Sequence, residues 1–319
     1  MKKALIVGIN YAGTDHALRG CINDARNMQF MLEGRGYTVE LMLEEAATAA
    51  NMIAGMERLV ADTRRGDAIL FHFSGHGSQL PSRHEKDGFE EILCPIDLNW
   101  LDKVITDDTL RSIFSKSPRG VNTTLVLDCC HSGDGLDQDE AYRVEDATPK
   151  EQPTISPLSP EIDKRYLTPP PSILAQLEGT ELVEWSTTRD INRDAMLIAG
   201  CRAEQTSADA FIEGTFQGAA TFALITSVRA EPSISYIDLI NKMNQFMMFK
   251  GFEQRPQLDG WGGLHTQIFA EPWNLENDVV VIAPTQELPV EEPEEKRFWG
   301  FLEVAIFVGF LVGMYLIIK

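Results

Sequence analysis

Basic charge is scarce in this chain. Its 319 residues hold 28 Lys and Arg against 48 Asp and Glu, a formal net charge of −20. Nucleic-acid binding rests on clustered cations, so that class of partner is excluded. The acidity suits basic peptides or ligands, or solubility alone. Cysteine is sparse too: Cys21, Cys94, Cys129, Cys130 and Cys201 are odd in number and, one adjacent pair apart, widely spread. Neighbouring cysteines rarely bridge, so no disulfide framework is expected and a reducing compartment fits. No C-x-x-C pair occurs, which counts against a zinc site built from His72, His76, Cys129, Cys130 and His131. No internal repeat is visible. The start, MKKALIVGIN, turns polar too soon for a signal peptide and reads as a buried first strand.

What is present is the mix of a folded chain, 44% apolar and 24% charged. Residues 4–9, 37–43, 68–73 and 123–127 read as strands. Between them, Cys21, Ala25, Met28 and Leu32 recur at helical spacing, as do Met52, Met56, Leu59 and Val60 behind a Thr48 cap. Thr106 or Asp107 opens another helix that reaches about Phe114. Such alternation predicts an α/β fold, a mostly parallel central sheet with helices on both faces. The pattern resumes with a strand at 196–199, helices near 219–229 and 236–249, and a last strand near 266–270.

Residues 134–193 interrupt it. They are acidic and proline-rich and read as an exposed insertion within a domain of residues 1–283. Proline and glutamate make 284–297 a linker. Residues 298–318 are apolar except for Glu303, close to the roughly 20 residues a membrane-spanning helix needs. Lys296 and Arg297 precede this stretch and Lys319 follows it, with Trp299 and Tyr315 placed as interface aromatics. The expectation is a C-terminal transmembrane helix with the remainder of the chain held in the cytoplasm.

Two segments end a buried strand in an abrupt polar turn: Ile69-Leu-Phe-His-Phe-Ser-Gly-His-Gly77 and Thr124-Leu-Val-Leu-Asp-Cys-Cys-His-Ser-Gly133. In open parallel sheets, ligands gather beyond the carboxyl ends of the strands, where His76 and Cys130 would sit. A thiol is a poor nucleophile until deprotonated, so an imidazole nearby gives the pair a chemical purpose. Either residue alone would read as ordinary packing; both at strand ends beside glycines read as a site.

At these residues the chain resembles the metacaspases, caspase-like peptidases whose bacterial members are often called orthocaspases. The matching stretches are Lys3-Ala-Leu-Ile-Val-Gly-Ile-Asn10, Leu18-Arg-Gly-Cys-Ile-Asn-Asp-Ala25, Ser74-Gly-His-Gly77, Ile105-Thr-Asp-Asp108, Asp128-Cys-Cys-His-Ser-Gly133 and Gly200-Cys-Arg-Ala-Glu-Gln-Thr-Ser-Ala-Asp-Ala210. The 54 residues from His76 to Cys130 also approach the roughly 50 that part this pair in caspases. The resemblance implies a caspase-like fold with larger and smaller halves, separated at the insertion where family members are commonly cut. It implies a cysteine endopeptidase with Cys130 as nucleophile, His76 as base, and the amides of Gly77 and Cys130 as oxyanion donors. Cys129 would be inert. An acidic pocket of Cys21, Asp24, Ser74 and Asp128 would accept Arg or Lys of a basic peptide or protein substrate.

The chemistry needs no cofactor. Calcium is the activator the resemblance suggests, at Glu90, Asp107, Asp108 and Asp137, with Glu90 standing where the family usually has Asp; some bacterial members need none. Arg143, Lys150, Lys164, Arg165 and Arg189 of the insertion are unranked self-processing positions. Two alternatives stay open: a catalytically silent module that binds partners at a membrane, and peptide-bond transfer through the same thioester.

Overall fold

Alternate residues of a strand face opposite sides of a sheet, and that period divides the apolar residues between two cores. The structure, a computed structural model, describes residues 1–82, 89–130, 162–177, 195–202, 205–260 and 265–273. In chain order the elements run β1 (Lys2–Gly8), α1 (Cys21–Glu33), β2 (Thr38–Leu43), α2 (Ala49–Val60), β3 (Ala68–Ser74), β4 (Gly77–Pro81), β5 (Phe89–Leu93), β6 (Ile105–Thr106) and α3 (Asp107–Phe114). They continue as β7 (Asn122–Asp128), β8 (Ile162–Lys164), α4 (Pro171–Leu177), β9 (Ala195–Ala199), β10 (Ala208–Ile212), β11 (Thr215–Gly218), α5 (Ala219–Ala230), α6 (Tyr236–Lys250) and β12 (Gln257–Gly260).

The central sheet has the order β12-β9-β7-β3-β1-β2 and is parallel except for β12 at its edge. Ala4, Ile6, Leu70 and Val126 point to one face, where they meet Met28 and Leu32 of α1, Leu224 of α5 and Leu239 and Met243 of α6. Leu5, Val7, Phe71, Phe73 and Leu125 point to the other, against Met52 and Met56 of α2 and Leu110 and Phe114 of α3. Each of the larger of these side chains, fully buried, contributes about 1.5–3 kcal/mol. Helix starts are fixed locally. Thr48, Thr106 and Ser235 accept from the amides of Asn51, Thr109 and Asp238, caps worth about 1 kcal/mol each.

Two small antiparallel sheets, β4-β5-β6 and β11-β10-β8, flank the carboxyl end of the main one. Their strands are too short to carry a periodic signal in the sequence. The run at 266–270, which its sequence predicts to be a strand, does not form one. There Ile268 makes only a single bridge to Ser235, while Phe269 and Ala270 are buried against the first core. The apolar run plugs a core, and β12 takes the edge of the sheet.

The insertion needs a larger correction. Residues 162–177 of it are folded, and Arg165, expected in a solvated linker, is 0% exposed. The described residues fall in one compact unit, Met1–Leu275. Among them no helix is long and apolar enough to cross a membrane; the linker at 284–297 and the span expected at 298–318 lie outside the described residues.

Candidate active site

β3 and β7 run side by side with Ser74 opposite Asp128, so their polar ends finish level. His76 and Cys130 each stand two residues beyond. The His76 amide donates to the Tyr11 hydroxyl at 3.0 Å, and that hydroxyl donates to the Cys94 carbonyl at 2.6 Å. The two rings lie 4.7 Å apart. Tyr11 thus props the turn that carries His76. Imidazole Nε2 lies 2.7 Å from the carbonyl oxygen of His16. A carbonyl only accepts, so the proton sits on Nε2 and leaves a lone pair on Nδ1. That Nδ1 is buried with no hydrogen-bond partner, as a base held for a reacting group would be. Burial lowers the pKa of His76 below the ordinary imidazole value, against the opposing pull of the His16 carbonyl.

Cys130 is fully buried, and its Sγ accepts the Ser207 amide at 3.2 Å. Cys129 turns the other way into the second core, where burial pushes its thiol up. Gly77 packs against this turn so closely that a Cβ there would lie 2.1 Å from the Cys130 carbonyl oxygen. Only glycine lets the two turns meet.

A segment of the chain itself fills the cleft between these turns. β8 pairs antiparallel with β10, Lys164 opposite Ala208 and Asp163 opposite Asp209. The next residue, Arg165, donates its amide to the Ser207 carbonyl at 3.1 Å. Its own carbonyl accepts the amides of Gly77 at 3.0 Å and Cys130 at 3.3 Å. Beyond it, the Leu167 amide donates to the Gly77 carbonyl at 3.0 Å, and Ser78 donates its hydroxyl to the Leu167 carbonyl at 2.6 Å. The backbone is held on both sides of the Arg165–Tyr166 bond.

The Arg165 side chain enters a pocket of three buried carboxylates. Nη2 bonds Asp24 Oδ2 at 2.6 Å and Asp209 Oδ1 at 3.2 Å. Nη1 bonds the Ser74 hydroxyl at 2.8 Å and the Asp128 carbonyl at 3.0 Å, and lies 3.3 Å from Asp128 Oδ1. Ser74 in turn donates its hydroxyl to Asp24 Oδ2 at 2.8 Å. The carboxylates are anchored from behind. Asp24 accepts the Gly218 amide, and Asp128 accepts the hydroxyls of Ser207 and Thr221 and the Thr221 amide. Asp209 accepts the amides of Arg19 and Gly20. Burial works against the charge on Asp128, but Arg165 and these donors outweigh it and hold the carboxyl below its usual range. For Asp24 burial wins over Arg165, pushing the carboxyl up to about 6. Burial likewise raises the Cys21 thiol at the pocket wall. Removing one partner from such a buried pair typically costs about 3–5 kcal/mol.

The structure therefore brings together Cys130, His76, Gly77, Cys21, Asp24, Ser74 and Asp128. Sequence reasoning missed Asp209, Ser207, Tyr11 and the His16 carbonyl. Asp209 lies within the 200–210 stretch already singled out, and that acid was the available signal. His72 belongs elsewhere. It is buried, pushed down to about 4 by that burial, and its Nε2 lies 3.2 Å from the Thr221 hydroxyl. Since that hydroxyl donates to Asp128, His72 is the donor, so it supports the pocket wall.

Of the four residues expected to hold calcium, the structure brings Glu90 and Asp107 together. Glu90 and Asp107 lie close enough for their carboxyls to share a hydrogen bond, and each keeps a buried oxygen (Oε1 and Oδ1) without a partner, as cation ligands would. Burial, helped by the nearby Asp107, pushes Glu90 up to about 8. Asp108 is paired with Arg111, which also bonds the second oxygen of Asp107 at 3.0 Å. Asp137 lies outside the described residues. Among the described residues no group of three or more His, Cys, Asp or Glu could hold a metal ion, zinc included.

Comparison with known proteins places these features in a context. The profile of the metacaspase, peptidase C14 domain matches residues 2–139. Metacaspase-1B of Aspergillus oryzae is 32% identical over 281 residues, covering 81% of this chain and 67% of the relative. Metacaspase-1 of Mycosarcoma maydis is 34% identical over 282 residues, covering 81% and 69%. Metacaspase-1 of Cryptococcus neoformans is 33% identical over 297 residues, covering 84% and 64%. The chain thus spans about two thirds of the length of these relatives. A crystal structure of protein GSU0716 from Geobacter sulfurreducens superposes with a TM-score of 0.61 at 23% identity, over 85% of this chain and 98% of that one. That last likeness speaks for the α/β fold alone.

Proposed function

The chain belongs to the metacaspase family of cysteine peptidases, and from that premise we propose that it is an endopeptidase cleaving after Arg or Lys through Cys130 and His76. One observation carries the reading: Arg165 lies in the cleft as a substrate would, its guanidinium among Asp24, Asp128 and Asp209 and its carbonyl between the amides of Gly77 and Cys130. In this reading the thiol of Cys130 gives its proton to Nδ1 of His76 and attacks the carbonyl carbon. The two amides hold the oxyanion, and His76 returns the proton to the leaving amine. Water then hydrolyses the thioester, His76 again taking the proton.

The same observation ranks the self-processing positions. Arg165 is the one we assign, with the cut falling between Arg165 and Tyr166. Lys164 is exposed, and Arg143, Lys150 and Arg189 lie outside the described residues. Calcium, as a hard cation at Glu90 and Asp107, belongs to this reading as an activator, and residues 298–318 as a membrane anchor with the peptidase in the cytoplasm. Full-length chain recovered in the soluble fraction without detergent would remove the anchor.

The deciding experiment compares wild type with Cys130→Ala. Wild type should hydrolyse fluorogenic Arg and Lys peptides, ignore Asp peptides, and release a fragment whose amino terminus is Tyr166. Cys130→Ala should do none of this. Efficient aspartyl cleavage, or fragments that form equally in Cys130→Ala, would overturn it.

A further inference from the structure

We propose that Arg19 forms a second specificity subsite, one for an acidic side chain two residues upstream of the Arg after which the chain is cut. The inference rests on reading 162–167 as a substrate-like segment and extends it to the sequence class that fits.

Along that segment the side chains before Arg165 differ sharply. Ile162 is 45% exposed and Lys164 is exposed, so neither is recognised. Asp163 is held. Its Oδ2 accepts from Nε of Arg19 at 3.1 Å and from Nη2 at 2.9 Å. Both donors lie on one edge of the guanidinium, a fork that suits a carboxylate and that lysine does not offer. The fork is set in advance: its Cζ lies 3.6 Å from the centre of the Phe216 ring, and Phe216 is braced edge-on by Phe211 at 5.2 Å. A stacked guanidinium has little freedom left to lose when the acid arrives.

The subsite is tied to the primary pocket. The Arg19 amide donates to Asp209 Oδ2 at 2.6 Å, while the other oxygen of Asp209 meets the Arg165 guanidinium. Asp209 therefore ties the main chain of Arg19 to the pocket that receives the basic residue. In a cleft whose primary pocket holds three carboxylates, this cation separates acidic from basic neighbours of the cleavable residue. The preferred sequence class is acid, any residue, then Arg. Both partners are partly exposed, 37% for Arg19 and 43% for Asp163, so water screens the pair. An effect of about two- to fivefold in kcat/KM is the scale for such a contact.

The test uses three fluorogenic peptides ending in Arg, with Asp, Asn or Lys two positions upstream, on wild type, Arg19→Gln and Arg19→Glu. Wild type should favour Asp over Lys by about tenfold, chiefly through KM; Arg19→Gln should flatten the series and Arg19→Glu should reverse it. A gain on the Lys peptide cannot come from misfolding. The same exchange works within the chain: Asp163→Lys should slow the cut after Arg165, and adding Arg19→Glu should restore it. Equal wild-type rates on all three peptides, or Arg19 variants that lose activity on all three alike, overturn the subsite and leave the proposed function standing. No cleavage of any Arg peptide overturns both.

Discussion

The imidazole of His76 donates its Nε2 proton to the carbonyl oxygen of His16, 2.7 Å away, and so keeps a lone pair on Nδ1. A main-chain atom does the orienting that a carboxylate does in a Ser-His-Asp triad, without bringing a negative charge beside the ring. Burial then holds the pKa of His76 below the ordinary value. A base must be neutral, and a lowered pKa keeps it neutral further into acid. The acid limb of kcat/KM on Arg peptides should therefore fall below pH 6.5, activity being lost as pH drops through it; a limb above 6.5 would contradict the assignment. His76→Asn should lose about 10²–10⁴ in kcat.

Gly218 is the wall against which Arg165 lies. A Cβ on it would stand 2.4 Å from Nη1 and 2.7 Å from Cζ of Arg165, and 2.3 Å from Asp128 Oδ2. Overpacking of this kind costs about 1–3 kcal/mol, so Gly218→Ala should lower kcat/KM on Arg peptides by about five- to a hundredfold. The self-cut after Arg165 should slow by a similar factor on gels. Unchanged rates would mean that Arg does not bind here.

Asp209 should matter as much as the two acids expected from sequence. Asp209→Asn keeps the shape but leaves Arg165 one negative charge fewer in a buried site. Losing one side of such a pair costs about 2 kcal/mol or more, so KM for Arg peptides should rise about thirtyfold or more with kcat little changed. A fall in kcat alone would place Asp209 outside substrate binding.

Glu90 bears on calcium through its proton. With a pKa of about 8, raised by burial and then by Asp107, it is largely protonated at pH 7. A cation needs the carboxylate, so binding must displace that proton. Calcium affinity should tighten as pH rises through 8 and level off above it. Calorimetry in buffers of different ionisation enthalpy at pH 7 should detect about one proton released, and Glu90→Gln should abolish the release.

The parts of this site that follow one strand were legible in the sequence. His76 and Cys130 each close a buried apolar run with a glycine nearby, and Asp128 ends the same strand. Asp24 sits in the first turn of α1, whose spacing was plain. The rest depends on segments that meet only in three dimensions. Asp209 belongs to a short strand with no periodic signal, and nothing local shows that it faces Asp24. His16 acts through its carbonyl, which every residue owns, so its identity carries no message. Arg165 stood among five basic candidates because composition reports an insertion as solvated; only the pairing of β8 with β10 buries it. The expected strand at 266–270 failed for a related reason, since a short apolar run reads alike whether it pairs or plugs.

The path of residues 162–177 gives a cut at Arg165 an unusual outcome. β8, which would stay attached to the fragment ending at Arg165, lies on β10 of the later half. Tyr166 bridges Gly77, and Leu167, Ile173 and Leu177, which would begin the later fragment, pack into the second core, with α4 against β4. Each polypeptide would then wear an arm across its partner's body, like two people with linked elbows. Severing the bond would not let go. The fragments should travel together through gel filtration and part only in denaturant, and the cleft would stay plugged by the new carboxyl end until β8 peels away. Between the cut and the open enzyme there would be a clasp to undo.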